Sequence, residues 1–400
     1  MKKNLSIDYT LLTITAVLTL FGILMIATVS APLSLEKFGN TWHYLFHQIF
    51  SGLLPAIFLG ILFFKIRLST LKKYAVVLLL LNLIALILVF VPKIGLSIGG
   101  AHRWIALGPI SFQPSEFLKI SFLLYLAAWF SQKKSKIKLL RSKSESKNIC
   151  SSLPFAATRV AEDEALASSP NQTLVAFLII LIILTCLLIK QPDMGTLMVI
   201  AITSASIYFI TPSSFWHKIS IIFAGIGGTI LLIIIAPYRM ERLMSFLHLE
   251  FDPLGQGYQI HQSLISIGSG KIFGIGGPFG LGMSQQKFGF LPHPMSDSIF
   301  AIIGEEMGFI GCLVIIALFL TFAWKGLKIA KESPDNFSYL LALGITIWIT
   351  LQAFLNIGAM TGLLPLTGIP LPFISYGGSH IIVELIGIGI LLNISKKTWK

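Results

Sequence analysis

Charge is what this chain has least of. Only 12% of its 400 residues are Asp, Glu, Lys or Arg, about half the share of a soluble globular domain. A solvated surface over most of its length is therefore excluded. Cysteine is scarce: Cys150, Cys186 and Cys312 are the only three, and two lie in apolar runs. Neither a disulfide framework nor a Cys/His metal cluster is indicated. Acids are fewer than bases, 17 against 30, for a formal charge of +13. That balance would suit nucleic acid, but no basic stripe interleaved with aromatics accompanies it, so nucleic acid is not an expected partner.

What is present is apolar sequence. Hydrophobic residues make up 55% of the chain and mean hydropathy is +0.84. Continuous runs near the ~20 residues that span a bilayer recur throughout, and runs of that kind are helical, since helices satisfy their own backbone in lipid. The expectation is an all-α polytopic membrane protein forming one integral-membrane domain over 1–400. Ten spans are predicted, at 9–29, 45–64, 74–92, 114–131, 173–189, 195–211, 219–236, 299–324, 339–360 and 381–394. The first is too long for a signal-peptide core and is read as retained.

Lysine and arginine set the orientation. Lys2, Lys3, Lys65, Arg67, Lys72, Lys73, the stretch KKSKIKLLRSKSESK, Lys218, Lys325, Lys328, Lys331, Lys396 and Lys397 fall on one side of a ten-span chain. Both termini are therefore expected in the cytoplasm. Segment 133–172 reads as a flexible cytoplasmic loop, and 30–44, 93–113 and 237–298 as outer loops. The longest of these, 237–298, is too apolar for a linker and is expected to fold as short or re-entrant helical pieces against the bundle.

Within it, SIGSGKIFGIGG at 266–277 imitates a phosphate-binding loop. A P-loop needs Gly, four residues, then Gly-Lys-Ser/Thr. Here Ile265 stands at the first glycine position and Ile272 follows Lys271. The loop is also placed outside, away from ATP. Its glycines are expected to let the backbone pack closely and bend around a substrate.

Polar side chains inside spans cost about 2.5–3.5 kcal/mol each on insertion scales and so line cavities or pair. Glu116 and Lys119 share a helix face at i,i+3, Glu305 and Glu306 lie two turns into the eighth span, Gln352 and Asn356 share a face of the ninth, and Glu384 opens the tenth. Glu116–Lys119 reads as a structural ion pair or a cavity element. Of Glu305 and Glu306, helix geometry predicts that only one faces fully inward. On the outer side Arg103, Arg239, Arg242, Lys271 and Lys287 oppose the positive-inside bias and are candidates to meet an anion, arginine's fork suiting phosphate oxygens. Asp297 opens the eighth helix, where an N-cap is the ordinary role.

The segments GAHRWIALGPISFQPSEFLK, QPDMGT, YRMERLMSFL with DPLGQGYQIHQSLISIGSG, FLPHPMSDSIFAIIGEEMGFIG, and NIGAMTGLLPLTGIPLPFISYGGS occur in that order. Together they resemble the SEDS family (shape, elongation, division and sporulation: FtsW, RodA, SpoVE) along almost the whole chain. FAIIGEE and GIPLPFISYGGS are more similar to its division-type, FtsW-like branch. The resemblance implies a peptidoglycan glycosyltransferase that polymerises lipid II outside the cytoplasmic membrane, with Asp297 as its active-site acid and Trp104 as the outer-loop tryptophan. It brings Arg103, Glu116, Lys119, Arg239, Arg242, Gln262, Ser263, Lys287, Glu305 and Glu306 into the candidate substrate-binding set. It implies as partners a class B penicillin-binding transpeptidase and other divisome membrane proteins. No covalent cofactor is expected, and Mg²⁺ or Mn²⁺ is a candidate companion of the pyrophosphate, its ligands unknown.

The chain departs from the family pattern at two places. Where Glu-x-His-Thr-Asp is usual it has His293-Pro294-Met295-Ser296-Asp297, and His380 replaces the serine after SYGGS. Other classes stay open at this point: an elongation-type polymerase, a lipid II flippase, and a non-catalytic activator of a transpeptidase. Unusual polar residues clustered on the outer side, with no evident inverted repeat, weigh against the transporter.

Overall fold

The structure is a computed structural model. It describes residues 7–92, 94–98, 101–107, 110–147, 170–211, 213–247, 255–275 and 281–398. Twelve helices occur among them: α1 Tyr9–Phe38, α2 His43–Lys65, α3 Leu68–Leu88, α4 Pro114–Lys147, α5 Pro170–Lys190, α6 Met194–Ile210, α7 Phe215–Ile235, α8 Pro237–Leu247, α9 Gln256–Ser269, α10 Ile299–Lys331, α11 Asn336–Met360 and α12 Gly378–Thr398. All ten predicted spans are present. Eight of these helices are long and apolar enough to cross a membrane by length and composition, so the chain is a multi-pass membrane protein. The short pieces expected in 237–298 are α8 and α9.

Two elements differ from expectation. Helix α4 runs on to Lys147, well past residue 131, because the basic stretch of the expected loop is made of good helix formers; the rest of that loop, 148–169, lies outside the described residues. The outer loop before α4 is a small sheet, β1 Gly95–Ile98, β2 Ala101–Leu107 and β3 Ile110–Phe112, antiparallel in the order β1-β2-β3. Leu96 pairs with Trp104, Ile105 with Phe112. Gly-Gly and Gly-Pro between short β-formers were the available signal.

Helices α10, α11 and α12 form the centre, where Trp348, Phe319 and Phe373 are fully buried. Glycines bring α2 and α12 together: a Cβ on Gly389 would overlap the Gly60 carbonyl, as in small-residue membrane interfaces. At the other extreme, only 6% of the apolar window of α7 is buried in protein, leaving its long side chains to face lipid.

Contacts sort the connections to two ends. At one, Asp8 pairs with Lys325 at 3.7 Å and Asn393 donates to Phe63 and Ile66 carbonyls; the basic residues Lys65, Arg67, Lys325, Lys328, Lys331 and Lys396 follow these helix ends. At the other, Arg103 of β2 reaches the α5–α6 turn, Gln113 donates to Ser379, and Tyr376 joins the 293–298 turn.

Candidate functional site

Asp297 sits in the turn before α10, half-buried. The N-cap position belongs to Ser298, and no side-chain cap bond is made there. The bland reading of Asp297 as a cap is therefore incorrect: the chain bends back through 293–298, with the Ser296 and Ser298 amides donating to the His293 carbonyl, and this carries the carboxylate off the helix axis. Its oxygens receive Ser296 Oγ at 3.0 Å and Gln259 Nε2 of α9 at 3.4 Å. The ion pairs of the described residues do not include Asp297.

Beside it opens a cleft of about 470 Å³ between the end of α1, the 286–296 segment and Tyr376. Pro32, Leu33, Phe288, Leu291 and Met295 give it apolar walls, while Lys287, Glu36, His293, Ser296 and Tyr376 supply polar atoms. Lys287 is itself buried. Its ammonium donates to the Gly282 carbonyl and lies 3.8 Å from Glu306 Oε1, so a fixed positive charge borders the cleft.

Glu305 and Glu306 are both buried, at 2% and 0% exposure, which corrects the expectation that only one would be. The loop at 282–287 wraps both: Gln285 N and Ser284 Oγ donate to Glu305, and Ser284 N to Glu306 at 3.2 Å. The wrapping depends on a break in α10, where Gly308 adopts φ 67° and ψ −164°. The glycine-rich loop seats against that break. Ile275 N donates to Glu305 O, Phe309 N to Lys271 O and Ile310 N to Ile272 O. A Cβ on Gly270 or Gly274 would overlap the carbonyls of Gly304 or Glu306. The job of this loop is close packing against another backbone, as its glycines suggested.

The outer arginines do not gather at Asp297. Arg103 donates to the Gln191 carbonyl at 2.9 Å and to that of Pro192, at the end of α5. Arg239 donates to Leu232 O at 2.7 Å and Arg242 to Leu366 O at 3.4 Å. The expected cluster of cations is thus distributed, because each guanidinium meets main-chain carbonyls near its own element; Lys287 is the one that borders the cleft. Trp104, half-buried on β2, follows Arg103 in the sheet. Ser263 is buried on α9 and bonds the Gln259 carbonyl at 2.8 Å, with Gln262 half-buried beside it. Lys271 is exposed.

Below the site lies a buried polar network. Lys119 pairs with Glu116 at 2.8 Å and donates to Gln352 Oε1 at 3.0 Å. Trp348 Nε1 meets the same oxygen at 3.0 Å, and Glu384 accepts from Phe373 N at 2.8 Å. His380 bridges Glu116 and Glu384. Two side chains at the cleft were not foreseen. Tyr376 OH lies 2.8 Å from His47 Nδ1, and Ser51 Oγ lies 3.1 Å from the same nitrogen. Burial and the neighbouring Tyr44 push the Tyr376 phenol up to about 12. A histidine inside the second span and the SYGG turn were the signals available.

Among the described residues no group of three or more His, Cys, Asp or Glu is placed to hold a metal ion. This set does not make a metal site by itself.

The family model for cell cycle proteins of the FtsW, RodA and SpoVE type matches residues 9–400. Stage V sporulation protein E of Bacillus subtilis is 35% identical over 98% of both chains. The probable peptidoglycan glycosyltransferase FtsW of Neisseria gonorrhoeae is 36% identical, covering 97% of this chain and 84% of its own. Among solved structures, a chain of a peptidoglycan synthase complex that coordinates polymerization and crosslinking aligns with TM-score 0.72 at 25% identity, over 99% of both chains. The rod shape determining protein RodA of Thermus thermophilus aligns with TM-score 0.63 at 22% identity, over 99% of this chain and 98% of that one.

Proposed function

Since the chain belongs to the FtsW, RodA and SpoVE family of cell cycle proteins, we propose that it is a peptidoglycan glycosyltransferase that joins lipid II units into glycan strands for septal wall synthesis. The reaction displaces a lipid pyrophosphate from one sugar's anomeric carbon by the 4-hydroxyl of another. A hydroxyl is a weak nucleophile, and a positioned carboxylate base contributes about 10²–10⁴-fold. Pyrophosphate departs without a proton but needs its charge neutralised. One base and one fixed cation are the minimum inventory.

The observation that supports this best is the state of Asp297. It is a carboxylate without a cap bond or ion pair, beside an amphipathic cleft bordered by the anchored Lys287 ammonium. In this reading Asp297 takes the acceptor proton and Lys287 meets the pyrophosphate. The arginines, already on main-chain carbonyls, shape the outer surface. No step is assigned to a divalent cation, because the residues present do not form a site for one.

The basic helix ends oppose the Asp297 end, which supports an extracytoplasmic site by the positive-inside bias. The partner is a membrane-anchored class B penicillin-binding transpeptidase with other divisome proteins around it. The likeness to a chain of a synthase complex supports this. The test is polymerisation of lipid II by the purified complex. Asp297→Asn is expected to abolish strand formation while keeping the partner bound, and full polymerisation by well-folded Asp297→Asn removes the base. Movement of labelled lipid II across liposomes without polymer would favour a flippase instead.

A further inference from the structure

Three consecutive carbonyls lead into Asp297, and each is held by a donor from outside its own segment. Tyr376 N donates to Met295 O at 2.9 Å. Ser375 Oγ donates to Ser296 O while accepting Leu371 N at 2.8 Å. Asn356 Nδ2 donates to Asp297 O at 2.7 Å and to Ile369 O at 2.7 Å. Asn356 and Ser375 are each 1% exposed, in surroundings where a polar side chain without a purpose is costly. With both amide protons on carbonyls, the Asn356 amide has one orientation; a flipped amide would set its own oxygen against two others.

Such a clamp does for a base what an ion pair cannot. A cation beside Asp297 would orient the carboxylate but also lower its basicity. Donors on the main chain fix the position of the residue and leave the carboxylate to Ser296 Oγ and Gln259. The clamp is itself anchored below, since Phe373 N of the same segment donates to buried Glu384 at 2.8 Å.

We propose that Asn356 and Ser375 are positioning residues for the reaction, acting through the main chain of Asp297 to aim its carboxylate. This rests on Asp297 being the base. A misplacement of about 1 Å costs on the order of 10²-fold in rate, so loss of the clamp should appear in kcat.

The experiment uses the complex with its transpeptidase, lipid II as substrate, and the variants Asn356→Leu and Ser375→Ala. Leucine keeps the volume of asparagine without its donor. The expected result is a fall in kcat of about 10–100-fold with KM within about twofold, as for an interaction that matters only in the transition state. Wild-type kcat in folded Asn356→Leu overturns the proposal, as does a loss confined to KM or proportional to lost folded protein. If Asn356→Leu lowers the thermal midpoint, Ser375→Ala, which removes one oxygen from the other side of the clamp, decides by the same split. Full polymerisation by Asp297→Asn would instead remove the base itself, a separate failure.

Discussion

His380 Nδ1 lies 3.3 Å from Glu116 Oε2, joining α12 to α4 in the middle of the bundle. The other ring nitrogen is 3.1 Å from Glu384 Oε1, an ion-pair contact outside hydrogen-bond alignment, and Lys119 closes the group on Glu116 at 2.8 Å. Every member is nearly inaccessible. Breaking such a pair from one side leaves an uncompensated buried charge and costs about 3–5 kcal/mol, whereas neutral replacement of both is often tolerated. Lys119→Met should therefore lower the thermal midpoint in detergent strongly, and adding Glu116→Gln should recover much of the loss. A double variant no better than the single would mean that the pair is not the source of the cost.

The glycine-rich loop gives a sharper contrast. Gly274 has φ +87° and no room for a Cβ against the Glu306 carbonyl, whereas nothing lies within 4 Å of a Cβ on Gly268. Gly274→Ala should prevent the loop from seating in the α10 break and give little folded protein. Gly268→Ala, in the same stretch, should purify at wild-type yield with an unchanged midpoint. Size-exclusion profiles and thermal unfolding of the two settle the point.

How much of this was legible beforehand follows from the range of each interaction. Span length, the positive-inside bias and the interrupting Pro192-Asp193 are local, and they gave the ten helices. Asp193 caps α6 through Thr196 N at 3.2 Å, as its place before an apolar run suggests. The break at Gly308 was not legible, since its cause is the docking of residues 270–275 from another helix. The same holds for the arginines. Their charge and side were readable, but which carbonyls they would meet depends on elements up to 124 residues away. Asn356 read as interhelical glue, and it is; that one of the groups it holds is Asp297 O is visible only in three dimensions.

Lys287 is the cation whose function can be separated from its packing. It is held by the Gly282 carbonyl and Glu306, so its ammonium sits in place before any anion arrives, which is how preorganised charge accelerates a reaction. Lys287→Met should lower kcat by about 10²-fold without loss of partner binding. Glu306→Gln, which keeps an oxygen for Ser284 N, should lower it less. A Lys287→Met complex polymerising at the wild-type rate would place the neutralising charge elsewhere.

Tyr376 makes a prediction about pH. Its phenol is pushed up to about 12, first by burial and then by Tyr44, against about 10 in an unfolded chain. The folded state thus retains a proton that the unfolded state releases. Stability from this group is complete below pH ~10 and is lost as pH rises through ~12. The midpoint of the wild type should fall between those values more steeply than that of Tyr376→Phe. Parallel curves would mean that Tyr376 ionises in the folded protein as it does in water.

Asp297 can be told from the chain's structural aspartates by comparing stability with activity. Asp335 caps α11, its carboxylate accepting Ser338 N at 2.7 Å, and Asp8 caps α1 through Leu11 N at 3.0 Å. Removing a cap costs about 0.5–2 kcal/mol, so Asp335→Ala should lower the midpoint and leave kcat of the surviving protein unchanged. Asp297 makes no cap bond. Asp297→Asn keeps an oxygen for Ser296 and Gln259 and should stay within about 0.5 kcal/mol of wild type while losing polymer. The two substitutions should therefore show opposite patterns in the same pair of assays. A destabilised Asp297→Asn that polymerises in proportion to its folded fraction would make Asp297 one more structural acid at a helix end.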